Sequence, residues 1–377
     1  MARTLSQGPV TRPELRPARP ADAPAIRELL RRQAMGGMIR LSLEREPDHR
    51  IAAGVEGERH HTFVVREPGS DRILGMGSRA VRRVWVNARP ARLGYLAQLR
   101  RAPELARHRR LLAAGYAASE KTRRDDELPY DLTSIVADNT AARRLLERAL
   151  PGMPIYRPLC ELVTLTIPVG SRRKRSGRVR RGSADLLPAI AACLERNLRR
   201  YQFAPIWTVD DLRCPRRVPE LHPEDFFVTT DGDRVTGCLA RWDQRRFKQV
   251  VVRGYAPPLA RWRRLVNVAL AVGGRPRLPA PGRALKLAYL SHLAVDDDCA
   301  EVLIELIRAA RHQSAGMDLD YLVTGLTAAN PMLPALRRAF PARELASILY
   351  LVHRPGAAAA AVDELDGRLT HVEVATL

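Results

Sequence analysis

An internal repeat is the feature of this sequence that most constrains its fold. Tyr95–Leu99 reads YLAQL and Tyr289–Leu293 reads YLSHL, at an offset of 194 residues. Asn139 stands between a predicted strand and a predicted helix, and Asn330 does the same at an offset of 191 residues. A short pattern such as YLxxL can match by coincidence. The preserved spacing of both landmarks nevertheless favours two copies of one fold.

The two halves also share an order of predicted elements: a helix, a group of strands, and then alternating helices and strands. This order predicts an α/β (α+β) chain of two tandem domains, each with a mixed, mostly antiparallel central sheet flanked by helices. We expect the domains at 14–169 and 184–354, joined by a basic linker at 170–183, and a tail at 355–377. Most such basic runs are solvated connectors.

Hydrophobic periodicity places the elements of the first half. The predicted helices and strands are Pro24–Met35, Glu104–Glu120 and Thr140–Leu150, and Thr62–Arg66, Ile73–Val86, Leu93–Leu99, Thr133–Val136 and Leu159–Val169. In the second half, an insertion rich in Pro, Gly and Arg interrupts the pattern at 254–283.

The charge balance leaves two interpretations open. The chain has 63 basic and 41 acidic residues, for a net charge of +22, and only four of the basic residues are lysines. A basic surface is the footprint of phosphate binding, so nucleic acid is one partner class. A genome rich in G and C also encodes Arg in place of Lys, and the abundance of Ala and Pro favours this second interpretation.

We expect this chain to belong to none of several classes of protein. No apolar run approaches the ~18 residues of a membrane span, so we expect no membrane association. The five scattered cysteines form no CxxC pair, which favours reduced thiols in the cytoplasm and no metal site. His60 and His61 are adjacent, a poor geometry for a metal, and are interpreted as surface residues.

Three segments resemble one known family. They are Leu15–Asp22 before the first helix, Leu99–Glu104 between the central strand and the next helix, and Ile135–Arg143 at a strand-to-helix junction. All three are similar to the GNAT (Gcn5-related N-acetyltransferase) superfamily, over about 14–169. The second half matches in element order with weaker motifs, so that the whole chain resembles a tandem GNAT protein.

The resemblance implies an acyl-CoA cofactor, acetyl-CoA or another acyl-CoA. In that family the pantetheine lies where two central strands separate, and backbone amides at the start of the next helix hold the pyrophosphate. The family's Arg-Gly-x-Gly run falls on Ala106–Arg109, where arginines replace glycines. Asn139 has a simpler alternative role, as a helix cap. The implied cofactor-binding residues are Leu99, Arg100, Arg101, Arg107, His108, Arg109, Arg110 and Asn139.

The matching loop of the second half has the opposite charge. Asp296, Asp297 and Asp298 stand at the helix start, where they favour the helix dipole but repel a pyrophosphate. The sequence therefore predicts that the first half holds the cofactor, if either half does.

Catalytic groups are less well defined by the sequence. The family's tyrosine position falls on Leu146 and, in the second half, on Arg337. Tyr156 is a candidate substitute acid, although an ordinary half-buried tyrosine is the favoured interpretation. Glu127, Asp131 and Asp138 are carboxylates near the expected opening of the site, and the sequence does not choose among them. Gln98 cannot act as a base. His292 has a suitable ordinary pKa, but a satisfied strand histidine is the favoured interpretation.

The leading function is therefore an acyl-CoA-dependent N-acyltransferase, with acetyl transfer to an amine by direct aminolysis and a strand amide near Leu99 polarising the carbonyl. The acceptor is a small-molecule or protein amine, acidic if the basic surface is functional. A non-catalytic GNAT-like binding protein is the second hypothesis. An RNA-binding or RNA-acylating protein is the third, because of the linker and the Arg-rich insertion.

Overall fold

The strands of this computed structural model form one large sheet and one separate pair. The structure describes residues 13–148, 150–170 and 177–377. The strands are β1 Glu14–Pro17, β2 Ile39–Glu44, β3 Arg59–Arg66, β4 Ile73–Val86, β5 Arg89–Arg101, β6 Glu127–Val136, β7 Ile155–Pro168, β8 Arg180–Arg181, β9 Phe226–Asp231, β10 Arg234–Trp242, β11 Gln249–Tyr255, β12 Leu287–Val295, β13 Tyr321–Thr327 and β14 Arg343–His353.

The helices lie between these strands. They are α1 Ala23–Arg32, α2 His49–Glu56, α3 Arg109–Glu120, α4 Thr140–Leu146, α5 Leu187–Leu198, α6 Val209–Arg213, α7 Pro257–Val272, α8 Ala300–Ser314, α9 Leu333–Ala339 and α10 Ala357–Asp363. None of the described helices is long and apolar enough to cross a membrane.

The halves exchange their last strands within a twelve-stranded sheet. Its order is β1-β3-β4-β5-β6-β14-β7-β13-β12-β10-β9-β8. β14, the closing strand of the second half, pairs with β6 and β7 of the first, and β7 also pairs with β13. The α/β fold with a mostly antiparallel sheet is thus confirmed. The domain bounds stay a prediction, and any cut at the linker would separate strands that are paired.

The repeat is visible in the backbone. The parallel pairing of β5 with β6 ends at Tyr95–Leu132, and that of β12 with β13 ends at Tyr289–Val323. These pairs are related by the same offsets as the sequence landmarks. The next landmark is a residue with a left-handed backbone, Gln98 at φ 54° in β5 and His292 at φ 52° in β12. Non-glycine residues rarely adopt positive φ, so one shared bulge marks both halves.

The hydrophobic core also crosses between the halves. The cluster around α5 includes Trp242 and Phe226 of the second half, but also Trp85 of β4 and Ala52 of α2. The tail predicted from residue 355 onward is not loose. It begins with α10, and most residues of 370–376 are buried against the sheet.

Candidate functional site

The two central strands of the repeat differ in how far they are covered. All nine residues of β12 are buried. In β5, by contrast, every residue from Leu96 to Arg101 is half-buried or exposed, and Leu99 is 41% exposed. Beyond Tyr95–Leu132, β5 has no register partner on its β6 side in the described chain. The first half therefore leaves the edge of its bulged strand accessible.

In the second half, the protein's own chain fills the equivalent place. A short turn at Val374–Thr376 packs on β12 and β13. A Cβ added at Gly325 of β13 would clash with a methyl carbon of Val374. Glu373 accepts a hydrogen bond from the His292 main-chain N–H at 2.7 Å, and Thr327 donates its hydroxyl to the carbonyl of Thr370 at 3.1 Å. The gap beside β12, which is equivalent to the accessible edge of β5, is therefore closed.

His292 is a core residue. Its ring lies 4.3 Å from that of Trp207 and also contacts Phe226 and Trp242 (centroid distances). Burial lowers the pKa of His292 to about 3. The imidazole is therefore neutral near neutral pH. Its Nδ1 meets the Ser291 hydroxyl at 2.9 Å, but its Nε2 has no hydrogen-bond partner among the described residues, so the histidine is packed in the core without being fully satisfied.

The aspartates that follow β12 are paired within their own half. Asp296 forms ion pairs with Arg196 and Arg234, at 2.7 and 2.8 Å. Asp298 pairs with Arg200 at 2.7 Å and accepts the Tyr201 hydroxyl at 2.6 Å. The sequence interpretation treated them as charges facing a cofactor, whereas the structure gives each of these two carboxylates a structural partner.

Basic residues cluster where the open strand β5 ends. Arg101 is exposed, and Arg100 is half-buried. Burial, followed by the nearby Arg45, lowers the pKa of Arg100. A 3₁₀ turn at Pro103–Arg107 leads to His108, which stands at the N-cap of α3 without a side-chain cap bond. Arg110 is exposed in the first turn of α3.

The other predicted cofactor residues have separate outcomes. The side chains of Arg107 and Arg109 lie outside the described part of the structure. Asn139 caps α4, where its side-chain oxygen accepts the Ala142 N–H at 3.2 Å. This is the simpler role considered for it from the sequence.

A buried polar cluster adjoins the β5 bulge and was not predicted. Glu56, at the end of α2, pairs with Arg45 and with His60, the latter at 2.8 Å. The Gln98 side-chain amide donates to the same carboxylate at 3.2 Å. Burial alone would raise the pKa of Glu56, but Arg45 and His60 lower it to about 2. His60 is thus not a free surface residue, and Glu56 is held as a carboxylate that fixes the bulge.

A second set of unpredicted groups lies where the C-terminal segment meets the first half. Arg82, Tyr95, Glu373 and Leu377 line one small cavity. Burial raises the pKa of Glu373 to about 7. Lys248 donates to the main-chain oxygen of Leu377 at 2.6 Å, and burial and Arg45 lower its pKa to about 7. Both groups titrate near neutral pH, which suits groups that take up and release protons.

The predicted acid Tyr156 lies in a tyrosine cluster beside β5. Its hydroxyl meets that of Tyr116 at 2.5 Å, and its ring packs edge-on against Tyr350. Burial raises the pKa of Tyr156 and raises that of Tyr116 to about 12. Tyr116 also lines a small cavity with Leu96 of β5. These phenols stay protonated at neutral pH and can act only as proton donors or relays.

The three predicted carboxylates lie in two different settings. Glu127 is buried and pairs with Arg59 and Arg79, each at 2.6 Å. Asp131 pairs with the same Arg79 at 2.8 Å, so that Glu127 belongs to an ionic network beneath the sheet. Asp138 is exposed in the turn before α4. The structure does not bring Glu127, Asp138 and Tyr156 together.

Comparison with solved structures identifies the fold. Saccharomyces cerevisiae N-myristoyltransferase with bound myristoyl-CoA matches with a TM-score of 0.60 and 12% identity, over 93% of this chain and 81% of that chain. The same enzyme with myristoyl-CoA and inhibitors matches with a TM-score of 0.58 and 12% identity, over 93% and 82% of the two chains.

A GCN5-related N-acetyltransferase from Sphaerobacter thermophilus matches with a TM-score of 0.49 and 14% identity, over 78% of this chain and 81% of that chain. No protein-family model and no curated protein matches the sequence. The tandem α/β fold predicted from the sequence is confirmed by the match to the two yeast structures, at the level of the fold alone.

Proposed function

We propose that this protein is an acyl-CoA-dependent N-acyltransferase whose first half holds the cofactor beside β5. One observation supports this most strongly: both halves carry the same bulge, yet only the first leaves its central strand accessible. The fold shared with a structure that holds myristoyl-CoA supports the same cofactor class.

The open strand suits the ends of such a cofactor. Its acyl thioester lies along β5 near the bulge, and its phosphates lie at the end of the strand. The basic side chains that would contact the phosphates there are those of Arg100, Arg101, His108 and Arg110. Arginine binds phosphate well because its donors form a planar fork. Arg107 and Arg109 remain predictions from the sequence.

The reaction joins an acceptor amine to the acyl carbon. A C–N bond forms, the C–S bond breaks, and one proton moves from the amine nitrogen to the departing sulfur. The main-chain N–H groups near Leu99 polarise the carbonyl as negative charge develops on its oxygen. Holding the two reactants together supplies most of the remaining acceleration.

We assign the protons to two groups. The Tyr116–Tyr156 pair, protonated at neutral pH, supplies the thiolate with its proton and regains one from solvent, which in turn receives the amine's proton from Glu373. Glu373, with a pKa of about 7, accepts the proton of the amine from the opposite side of β5 through the cavity that it shares with Tyr95. Replacing Glu373 by Gln is expected to remove an ionisation near pH 7 from the profile of kcat/KM. An unchanged profile removes Glu373 from this role.

The identities of the acyl group and of the acceptor form a separate proposal. We propose acetyl as the acyl group and an amine on an acidic small molecule or protein as the acceptor, since the chain carries a net charge of +22. Myristoyl-CoA, the ligand of the similar yeast structures, is the direct competitor to acetyl-CoA.

Calorimetric titration of the full chain tests the cofactor. Acetyl-CoA, myristoyl-CoA and free CoA are titrated separately, with acyl chain length as the variable. The double variant Arg101→Ala, Arg110→Ala is expected to weaken every CoA ligand about tenfold or more, because two charge-assisted contacts are lost. Arg213→Ala, at an exposed arginine of the second half, is the matched control. If no acyl-CoA binds at millimolar concentration, the proposal of an acyl-CoA-dependent enzyme is overturned.

A non-catalytic binding protein is the second candidate. The family's tyrosine position on α4 is Leu146, which is buried in the core. Binding of acyl-CoA without release of free thiol, over a panel of acidic and neutral amines, would select this candidate over the acyltransferase.

A further inference from the structure

One face of α7 packs on the rest of the molecule. Leu259, Val266 and Leu270 lie against the cluster formed by the β2–β11 pair. Asn267 exchanges two hydrogen bonds with the main chain of Leu278, at 3.0 and 2.7 Å. This inward face is sufficient to dock the helix.

The opposite face is apolar as well, and it is exposed. Trp262 is 53% exposed, Leu265 61%, Val268 62% and Val272 85%. At 100° per residue, these four side chains fall within about 120° of the helix circumference. Large apolar side chains grouped in this way on a surface mark an interaction site.

The charged side chains in the segment of chain that carries this stripe are all positive. No Asp or Glu occurs from residue 244 to residue 295. Arg261 lies over the Trp262 ring at 5.5 Å. The exposed arginines on or just beyond α7 are Arg261, Arg264, Arg275 and Arg277.

We propose that α7 is an interfacial helix that lies flat on an anionic lipid surface. Trp, Leu and Val would enter the boundary between headgroups and acyl chains, while the arginines meet the lipid phosphates. A second copy of the chain is a poor occupant, because it would bring two acid-free basic surfaces together. A convex helix face also offers no groove for a peptide. Membrane association was not expected from the sequence because no segment spans, but an interfacial helix needs no span.

The tryptophans allow a direct measurement. Trp85, Trp207 and Trp242 are buried, and Trp262 is exposed. Acrylamide should therefore quench mainly Trp262. Vesicles of phosphatidylcholine containing phosphatidylglycerol are expected to shift the emission to the blue and to protect it from quenching. Pure phosphatidylcholine vesicles should do neither.

Variants separate the apolar and the charged contributions. Leu265→Asp with Val272→Asp is expected to abolish sedimentation with anionic vesicles, and Arg261→Ala with Arg264→Ala to weaken partitioning by more than about tenfold. Met317→Asp, at an exposed methionine in the loop after α8, should bind as the parent does. An unchanged melting temperature shows that each variant is folded.

Two results would overturn the proposal. One is equal binding of anionic vesicles by the parent and the Leu265→Asp, Val272→Asp variant. The other is binding to poly-L-glutamate or to an RNA oligonucleotide with no binding to vesicles, which would assign the surface to an acidic polymer. The vesicle assay contains no acyl-CoA, so its outcome is independent of the cofactor titration.

Discussion

The gap beside β5 and the gap beside β12 show what two copies of one fold can become. Both have the same bulge and the same end of parallel pairing. In the second half the gap holds the C-terminal segment, fixed by the bond between Glu373 and the His292 amide. In the first half, the side chain of Gln98 bonds to the buried carboxylate of Glu56, and the strand edge stays accessible.

This difference refines the argument drawn from charge. The sequence assigned the cofactor to the first half because Asp296–Asp298 would repel phosphate, but Asp296 and Asp298 are neutralised by arginines. Filling of the gap is the stronger reason, since a pantetheine cannot enter space that Val374 already occupies. Because the halves exchange β7 and β14, the comparison has to be tested in the full chain.

Removal of residues 370–377 is the most disruptive test of the comparison. It leaves buried Arg82 without Thr376, whose hydroxyl and carbonyl it bonds at 2.7 and 2.9 Å, and leaves the His292 N–H without an acceptor. Each lone buried polar group costs about 1–3 kcal/mol, so we expect these two losses to lower the free energy of unfolding by about 2–6 kcal/mol, measured by urea denaturation.

The matched control lies two residues before the removed segment. Arg368→Ala removes only a surface pair with Asp366 and is expected to leave the urea midpoint unchanged. A shortened chain that unfolds at the parent's midpoint would mean that the segment is not what closes the second half.

Gly325→Ala tests the closed gap at one atom. The added methyl meets Val374, and overpacking of this kind costs about 1–3 kcal/mol. A second change, Val374→Ala, should recover part of the loss by making room. Ser134 stands at the equivalent place in β6, where its hydroxyl bonds that of Tyr95 at 2.7 Å.

Ser134→Ala is the comparison for that rescue. It is expected to cost about 1 kcal/mol through the lost hydrogen bond, and Val374→Ala should not recover it. Recovery at both positions, or at neither, would contradict the proposed difference between the gaps. Thermal or urea unfolding of the three single variants and the two double variants measures this.

Local patterns in the sequence predicted much of the fold. Ile73–Val86 was predicted as a strand with the bounds that β4 has, and the first helix, predicted at Pro24–Met35, corresponds to α1 at Ala23–Arg32. Local periodicity does not state which strand lies beside which. The exchange of β7 and β14, and the pairing of β2 with β11, join residues far apart in the chain, and these features were missed.

The candidate site was predicted only in part, for a similar reason. The open strand end around Leu99–Arg101 followed from the family resemblance. Glu56, His60 and Glu373 were missed because they meet Gln98 and Tyr95 only after folding. The helix α7 was obscured by its opening prolines and arginines, and the buried segment 370–376 by the alanine tract before it.

A further expected effect is a pH dependence of stability that belongs to the closed half. The pKa of His292 is about 3 in the folded protein, against an ordinary value of 6.5. Between these pH values the unfolded chain binds one proton more than the folded protein. The contribution of His292 to the free energy of unfolding is therefore complete above pH 6.5 and is lost as the pH drops toward 3, by at most about 1.4 kcal/mol per pH unit.

His292→Gln places the residue of the open half at this bulge. It should remove that pH dependence from the free energy of unfolding, measured by urea denaturation between pH 6 and 5. His371 and Glu373 titrate in both proteins and cancel in the difference, and His222→Gln, at an exposed histidine, should keep the parent's slope. A His292→Gln protein with the parent's pH dependence would show that water reaches this imidazole, and the second gap would then be less closed than its packing indicates.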